Sequence, residues 1–307
     1  MEHIYDILII GGGPAGYSAA LYAARAGFDT IVLERMSAGG QMALTDIIDN
    51  YPGYPDGIEG FTLGINMQTG AERFGSKTEY AEVEKVDFSK KIKSVATSLG
   101  VFLAKSVIIA TGANPRELGL PHEQEFIGRG VHYCAHCDGR FYKDKDVLVV
   151  GGGNSAVSDA LYLSRVAKKV YLVHRRDTLR ATKIYHEPLK NAKNIEFLWE
   201  STVDELLFDT RINGAVIKNK NGNTSKIDCH GIFISIGRRP ATEFLKGKID
   251  LDENGYIIAD ESTKTNINGV FAVGDVRTKA LRQVITAAAD GATAIHFAEE
   301  YIEGEKF

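Results

Sequence analysis

The stretch Ile4–Gly27, IYDILIIGGGPAGYSAALYAARAG, decides the fold of this chain. An apolar run, Ile4–Ile10, leads into the glycine-rich turn GGGPAG, and a segment rich in alanine follows. This order predicts a strand, a G-x-G-x-x-G turn and a helix that packs closely on a sheet. In such a turn Gly11 permits the tight bend, Gly13 lets the backbone approach a pyrophosphate, and Gly16 allows close helix packing.

A second strand, TIVLE, follows this helix and ends at Glu34, 23 residues after Gly11. A carboxylate at this position can accept the hydrogen bonds of an adenosine ribose. The segment therefore predicts a nucleotide-binding unit with a parallel sheet.

The same pattern recurs in the second half of the chain. The strand DVLVV leads into GGGNSA, Gly151–Ala156, followed by the helical VSDALYLSRVA and the strand KVYLVH. Gly151 lies 140 residues after Gly11, and His174 lies 140 residues after Glu34, so the two units share one spacing. A single glycine pattern is weak evidence, because structural turns produce it too. Two copies in register, each between a strand and a helix, favour two dinucleotide sites.

The two units differ at the end of the second strand. Where the first unit has Glu34, the second has HRRDTLR, with His174, Arg175, Arg176 and Arg180. A carboxylate repels a 2′-phosphate, whereas guanidinium groups bind one with charge-assisted hydrogen bonds. We therefore expect the second unit to bind NADP(H) and the first to bind a different adenine dinucleotide. The competing interpretation is a solvated cluster of arginines.

Length and composition exclude several classes of protein. With 307 residues, 44% of them hydrophobic, the chain is large enough for two packed cores. The 36 basic and 40 acidic residues give a formal charge of -4, so there is no basic field to bind nucleic acid or an anionic membrane. No apolar run approaches the roughly 18 residues of a membrane span. Three cysteines do not suggest a secreted disulfide framework, and we expect a cytoplasmic protein.

The order of the segments predicts a discontinuous first domain. The strand-and-turn segments VIIATGANP, Val107–Pro115, and IFISIGRRP, Ile232–Pro240, indicate a chain that leaves one domain and later returns to it. We expect an α/β protein with two Rossmann-like domains, the second inserted into the first. The predicted boundaries are 1–115 with 244–307 for the first domain and 116–243 for the inserted one.

The stretch VHYCAHCDG, Val131–Gly139, places two of the three cysteines two residues apart. A zinc corner needs about four ligands, and Cys229, which we expect in a buried strand, supplies no second pair, so no metal is predicted. A structural disulfide between Cys134 and Cys137 closes too small a loop to stabilise the fold much. A C-x-x-C beside a βαβ unit favours a redox pair.

In this order and spacing, the motifs resemble those of a known family. They are GGGPAGYSAALYAAR, GGQ, DNYPG, IIATGA, CAHCDG, GGGNSA, HRRDTLRA, GVFAVGDV and RQVITAAADG. Together they are similar to the low-molecular-weight bacterial thioredoxin reductases of the pyridine nucleotide-disulfide oxidoreductase superfamily, over essentially the whole chain. The resemblance implies three-layer domains, FAD in the first and NADPH in the second, a homodimer, and thioredoxin or a similar small dithiol protein as partner.

The resemblance also implies which residues contact the cofactors. For FAD these are Gly11, Gly13, Pro14, Ala15, Gly16, Glu34, Gly40, Gln41, Asn50, Thr111, Gly112, Gly274, Asp275, Arg282, Gln283 and Ala287. For NADPH they are Gly151, Gly153, Asn154, Ser155, Ala156, His174, Arg175, Arg176, Arg180, Ile236 and Gly237.

The catalytic residues implied by the resemblance are Cys134, Cys137 and Asp138. NADPH would reduce the flavin, and the flavin would reduce the disulfide. Cys137 would be the sulfur on the flavin side, and Cys134 would attack the external disulfide. Asp138 is the candidate general acid for the departing thiolate, and its alternative role is a turn or helix cap. Because nicotinamide and cysteines must both reach one flavin, we expect the inserted domain to rotate about the strands near Asn114 and Glu243.

One departure from the family pattern lies between the cysteines, where His136 replaces the more usual threonine. We expect a histidine here to stabilise a thiolate, to raise the reduction potential of the pair and to alter the partner surface. The acceptor therefore stays open between thioredoxin, a glutaredoxin-like protein and another small dithiol protein. Two further alternatives are a relative with another electron donor and a nucleotide-binding sensor without turnover.

Overall fold

The computed structural model describes residues 3–45, 47–305 and 307, without the side chains of His186 and Lys190. The chain divides into two compact units. The first unit consists of Met1–Asn114 and Arg239–Phe307, and the inserted unit is Pro115–Arg238.

The second boundary between the two units lies earlier than the predicted residue 243, because the residues after Arg239 form hydrogen bonds with the first unit. Thr111 Oγ1 donates a hydrogen bond to the carbonyl of Ala241 over 2.9 Å, and the Ala241 N–H donates to the carbonyl of Gly112 over 3.0 Å. Leu245 is fully buried in the core of the first unit. The chain has therefore returned to the first unit before residue 243.

The regular elements are the strands and helices of an α/β protein. The strands are β1 (Ile4–Ile10), β2 (Thr30–Glu34), β3 (Lys77–Tyr80), β4 (Val83–Asp87), β5 (Lys93–Thr97), β6 (Gly100–Ile109), β7 (Ala113–Pro115), β8 (Val131–His132), β9 (Asp146–Val150), β10 (Lys169–Val173), β11 (Ile195–Leu198), β12 (Ser201–Phe208), β13 (Ile212–Asn219), β14 (Thr224–Asp228), β15 (Gly231–Ile234), β16 (Arg238–Pro240) and β17 (Val270–Ala272). The α-helices are α1 (Pro14–Arg25), α2 (Gly60–Glu72), α3 (Ala135–Asp138), α4 (Asn154–Ser164), α5 (His186–Asn191) and α6 (Val284–Gly304).

The first unit has three layers around one sheet. Strands β3, β2, β1 and β6 run parallel in that order, β17 also pairs with β6, and β5 and β4 continue from β6 as an antiparallel meander. Ile7 and Ile9 face the alanine-rich helices α1 and α6, whereas Leu8 and Ile10 face the core that includes the meander. A strand buried on both faces needs a continuous apolar run, which explains the sequence of β1.

The inserted unit repeats this layering with different strands. Its parallel sheet has the order β11, β10, β9, β15, β8, and a separate antiparallel sheet is formed by β12, β13 and β14. Val147 and Val149 pack against α4, and Leu148 and Val150 pack against the antiparallel sheet. The prediction of an α/β fold with two Rossmann-like three-layer domains is confirmed.

The two crossings between the units, β7 and β16, pair with each other as a two-stranded ribbon. Within the described range, no helix is both long enough and apolar enough to cross a membrane.

A buried ion network fixes the turn after β17. Asp290 in α6 accepts hydrogen bonds from Arg277 Nε and Nη2, each over 2.9 Å, and from Lys279 Nζ over 2.8 Å. It also accepts the Gly274 N–H over 2.9 Å. Burial alone would raise the pKa of Asp290, but these hydrogen bonds lower it below its usual value. Asp290 thereby fixes the backbone at Gly274.

We expect Asp290→Asn to destabilise the first unit by about 3–5 kcal/mol, because the 1% exposed Arg277 side chain would lose its buried carboxylate. Urea unfolding followed by circular dichroism measures the loss. An ionised Asp290 with a lowered pKa stabilises the fold above the unfolded-state pKa, and this contribution is lost as the pH falls through the folded-state pKa. The variant and the wild type should therefore converge in acid. Glu300→Gln, on the exposed face of the same helix, is the control, and equal losses in both would contradict the assignment.

Candidate functional site

The first glycine turn leaves open space where a pyrophosphate would lie. A Cβ on Gly16 would meet the carbonyl oxygen of Gly11 at 1.9 Å, so the first turn of α1 lies directly on the glycine turn. At Gly13 no described atom lies within 4 Å of a Cβ position. Among the described residues, no side chain caps the start of α1. Its first N–H groups are therefore available to an anion.

Glu34 ends β2 directly beside this turn. Its carboxylate accepts the Gly12 N–H over 2.6 Å and the Met36 N–H over 2.9 Å, one on each oxygen. An ionised carboxylate has about four acceptor positions, so capacity remains for ribose hydroxyls. This geometry fits the role expected from the sequence.

Distant segments of the first unit converge on the glycine turn. A Cβ on Gly40 would lie 3.5 Å from the Gly13 Cα, and one on Gly11 would lie 3.3 Å from the Thr111 Cα. Gly274 lies against Ala15 and Ala287, at 3.0 and 3.6 Å from its Cβ position. These contacts bring most of the expected FAD residues together, with Pro14 as the first residue of α1, Gly112 after Thr111 and Asp275 after Gly274.

The polar residues expected near the flavin ring are held by hydrogen bonds within the first unit. Asn50 Nδ2 donates to Gln283 Oε1 over 3.0 Å, and Gln41 Nε2 donates to Asn114 Oδ1 over 2.9 Å. The Arg282 guanidinium lies 4.3 Å from the ring centroid of Tyr256. These links position side chains from four separate segments.

The first site fits an adenine dinucleotide on structural grounds. It has an uncapped helix start among the described residues, an open space at Gly13, and a carboxylate beside the turn. FAD would place its pyrophosphate at the turn and its ribose at Glu34.

The second glycine turn has the same construction. A Cβ on Gly151 would meet the carbonyl oxygen of Ser235, the residue before Ile236 and Gly237, at 2.4 Å, and Ala156 Cβ at 2.7 Å. No described side chain caps α4, which begins at Asn154 beside the exposed Ser155. Asn154 Oδ1 accepts the Thr182 N–H over 2.9 Å and thereby ties the arginine segment to the turn.

The side chain of His174 packs against this turn. Its side chain is buried, and a Cβ on Gly152 would lie 2.2 Å from the imidazole ring. Its Nε2 lies 3.0 Å from the carbonyl oxygen of Thr178, which requires a proton on Nε2. Burial lowers the pKa of His174, and the neighbouring arginines lower it further. The ring is therefore neutral at physiological pH, and His174 contributes packing rather than charge.

The three arginines of this segment are exposed at the turn. Arg180 Nη2 is the nearest described atom to the Cβ position of Gly153, at 3.9 Å, and the Arg180 N–H donates to the carbonyl of Gly152 over 2.8 Å. Arg175 and Arg176 follow His174, the first residue after β10, and no described carboxylate forms an ion pair with either. All three guanidinium groups are therefore available to anions.

Cys134 and Cys137 form a disulfide at the start of the short helix α3, with their Cα atoms 5.3 Å apart. Cys134 precedes the helix, and its sulfur accepts the Cys137 N–H over 3.2 Å. Both cysteines are partly exposed. His136 between them is exposed, and its ring centroid lies 4.4 Å from that of Tyr162.

Asp138 does not cap a helix with its side chain. Its Oδ2 lies 3.0 Å from His132 Nδ1, and His132 Nε2 lies 2.6 Å from the hydroxyl of Tyr142. The sequence analysis singled out Asp138 but missed His132 and Tyr142. The only available signal was the presence of a histidine two residues before the first cysteine.

Cys229 is a buried free thiol, but it lies between β14 and β15 and not within a strand. Burial raises its pKa to about 12. A neutral buried thiol is not a nucleophile, so only the C-x-x-C pair can carry thiol chemistry.

Comparisons with known proteins agree with this geometry. The sequence profile of the family described as Pyridine nucleotide-disulphide oxidoreductase matches residues 5–291. The chain is 47% identical to a thioredoxin reductase of Peptoclostridium acidaminophilum, over 99% of this chain and 98% of the relative. It is 44% identical to that of Listeria monocytogenes, over 98% and 95%. The crystal structure of thioredoxin reductase from Streptococcus pyogenes matches with a TM-score of 0.92 at 44% identity, over 99% of this chain and 100% of that one.

Proposed function

Because the chain belongs to the pyridine nucleotide-disulphide oxidoreductase family, a family of flavoprotein oxidoreductases, we propose that it is a thioredoxin reductase that uses NADPH and FAD. The observation that carries the proposal is the Cys134–Cys137 disulfide in the unit that also contains the arginine-flanked glycine turn. The relatives named thioredoxin reductase cover nearly the whole chain, which supports the same reaction here.

The two glycine turns support the choice of cofactors. FAD at the first turn would supply hydride acceptance and two-electron transfer to a disulfide. Gly13, Glu34 and Gly274 would hold it. The exposed Arg175 and Arg176 favour NADPH over NADH at the second turn, because only NADPH carries a 2′-phosphate.

The protein residues then carry out thiol–disulfide exchange. The Cys134 thiolate attacks the disulfide of the acceptor, so that a bond forms from Cys134 to one acceptor sulfur and the acceptor S–S bond breaks. The departing sulfur leaves with the electron pair and takes a proton from Asp138. Cys137 then attacks Cys134, which restores the internal disulfide and releases the acceptor as a dithiol.

We propose a homodimer in the cytoplasm. Rotation of the inserted unit about the crossing strands stays a prediction.

The test is NADPH oxidation by the purified flavin-loaded protein with a panel of small dithiol proteins from the same organism. We expect thioredoxin disulfide to give a kcat/KM at least about tenfold higher than a glutaredoxin-like protein. A higher value for the glutaredoxin-like protein would favour that acceptor instead. The absence of turnover with every disulfide, despite NADPH reduction of the flavin, would refute a reductase.

A further inference from the structure

Three hydrogen-bonded side chains form a chain from helix α3, which follows Cys134, into the core of the inserted unit. Asp138 Oδ2 lies 3.0 Å from His132 Nδ1, and His132 Nε2 lies 2.6 Å from Tyr142 Oη. The His132 side chain is 5% exposed, that of Asp138 17%. The imidazole also stacks on Phe233, with ring centroids 5.1 Å apart and an angle of 24° between the planes. The imidazole is therefore fixed on both edges and one face.

We propose that His132 is a positioning residue that orients Asp138 and stabilises, through its Nδ1–H, the carboxylate that remains once Asp138 has protonated the departing thiolate. The inference rests on the proposed disulfide exchange, in which Asp138 is the acid. It adds a residue to that reaction, since His132 acts through Asp138 and contacts neither sulfur.

The hydrogen bonds of the chain can be satisfied in both protonation states of Asp138. When Asp138 is ionised, His132 donates Nδ1–H to the carboxylate, and its Nε2 accepts the Tyr142 hydroxyl proton. When Asp138 is protonated on Oδ1, Oδ2 still accepts Nδ1–H, and Nε2 still accepts the Tyr142 hydroxyl proton. The imidazole keeps one tautomer, so neither state leaves a buried polar atom without a partner. Asp138 can therefore gain and lose a proton at little structural cost.

The surroundings keep Tyr142 in its neutral form. Burial raises the pKa of Tyr142 more than Arg211 lowers it, and Asp138 raises it further. Tyr142 is thus a hydroxyl at physiological pH, and Cys229 is a neutral thiol. Phe233, on the stacked face of His132, does not titrate. The proton that is gained and lost on this chain therefore belongs to Asp138.

The proton balance of the exchange then has a defined route. When the acceptor S–S bond breaks, the departing sulfur takes the proton of Asp138. The resulting carboxylate keeps the hydrogen bond from Nδ1–H of His132. Water supplies the next proton through the exposed part of Asp138.

The test compares His132→Asn, His132→Phe and Tyr142→Phe with the wild type. Asparagine keeps an N–H donor near Asp138 but does not titrate, and phenylalanine removes both polar atoms. We expect kcat for thioredoxin reduction at neutral pH to fall by about 10- to 100-fold in His132→Phe and by less in Tyr142→Phe. In His132→Asn the pH profile of kcat should shift, because an amide replaces the imidazole N–H beside the Asp138 carboxylate.

The matched control is His122→Asn. His122 contacts Glu125 at a similar distance, 3.1 Å, but is exposed and distant in sequence from the cysteines. We expect wild-type kcat and pH dependence in this variant. In every variant, reduction of ferricyanide by NADPH should stay at the wild-type rate, because that reaction bypasses the cysteines and reports folding and flavin loading.

Two results would overturn the inference in distinguishable ways. An unchanged pH profile in His132→Asn, together with unchanged kcat in His132→Phe, would show that His132 only packs the core. If the wild type reduced ferricyanide but no disulfide, the proposed function would fall, and the inference with it.

Discussion

With Cys134→Ser, NADPH should still reduce the bound flavin at the wild-type rate, while thioredoxin reduction falls by about 10³-fold or more. The serine hydroxyl is not ionised at neutral pH and cannot form the mixed disulfide. Stopped-flow absorbance of the flavin measures the first reaction, and steady-state NADPH oxidation with thioredoxin measures the second. Residual turnover near the wild-type value would contradict a redox role for the C-x-x-C pair.

The roles of the two cysteines are separated by Cys137→Ser. This variant retains Cys134 and should trap a covalent mixed disulfide with thioredoxin, visible on a non-reducing gel. Cys134→Ser should trap none. If Cys134→Ser trapped thioredoxin and Cys137→Ser did not, the roles of the two cysteines would be the reverse of those that the resemblance implies. Cys229→Ala is the control, because it also removes one thiol but from a buried position away from the redox helix.

The second large effect concerns the choice of nucleotide. We expect Arg175→Ala combined with Arg176→Ala to lower kcat/KM for NADPH by about 10²-fold, which corresponds to about 3 kcal/mol of lost charge-assisted hydrogen bonding. The value for NADH should change little, since NADH has no 2′-phosphate. Both follow from initial rates with a ferricyanide acceptor, which avoids the disulfide steps.

The matched control for this pair is Arg165→Ala. Arg165 is also exposed but lies at the opposite end of α4 from the glycine turn. The wild-type preference for NADPH should also weaken as salt screens the exposed guanidinium groups. An unchanged preference for NADPH over NADH in the double variant would show that this segment does not bind the 2′-phosphate. It would favour the interpretation of a solvated cluster of arginines.

The structure changes the role of His174 in this segment. Sequence spacing grouped His174 with the arginines, as the counterpart of Glu34. The ring is instead buried beneath Gly152 and bonded to the carbonyl of Thr178, and burial lowers its pKa. Spacing shows that a side chain stands at the end of a strand, but the packing around it decides whether it can carry a charge.

The Asp138 site illustrates the same limit. Its place after the second cysteine predicted an acid, and a helix cap was the alternative. The carboxylate bonds to His132, at the end of β8, and the next link, Tyr142, follows α3. No periodicity or motif joins these three residues. Their contact depends on how β8 and α3 pack against β15.

The sequence by itself determined the two strand–turn–helix units, their common spacing, the redox pair and the family, because strand runs, glycine turns and C-x-x-C are local patterns whose chemistry depends on nearby residues. Only the tertiary structure decided the Asp290 network, the neutral state of His174, the return of the chain before residue 243 and the partners of Asp138. Each of these depends on burial and on hydrogen bonds or packing between elements whose contacts the sequence pattern does not predict. Burial decides whether a polar side chain is charged, neutral or paired.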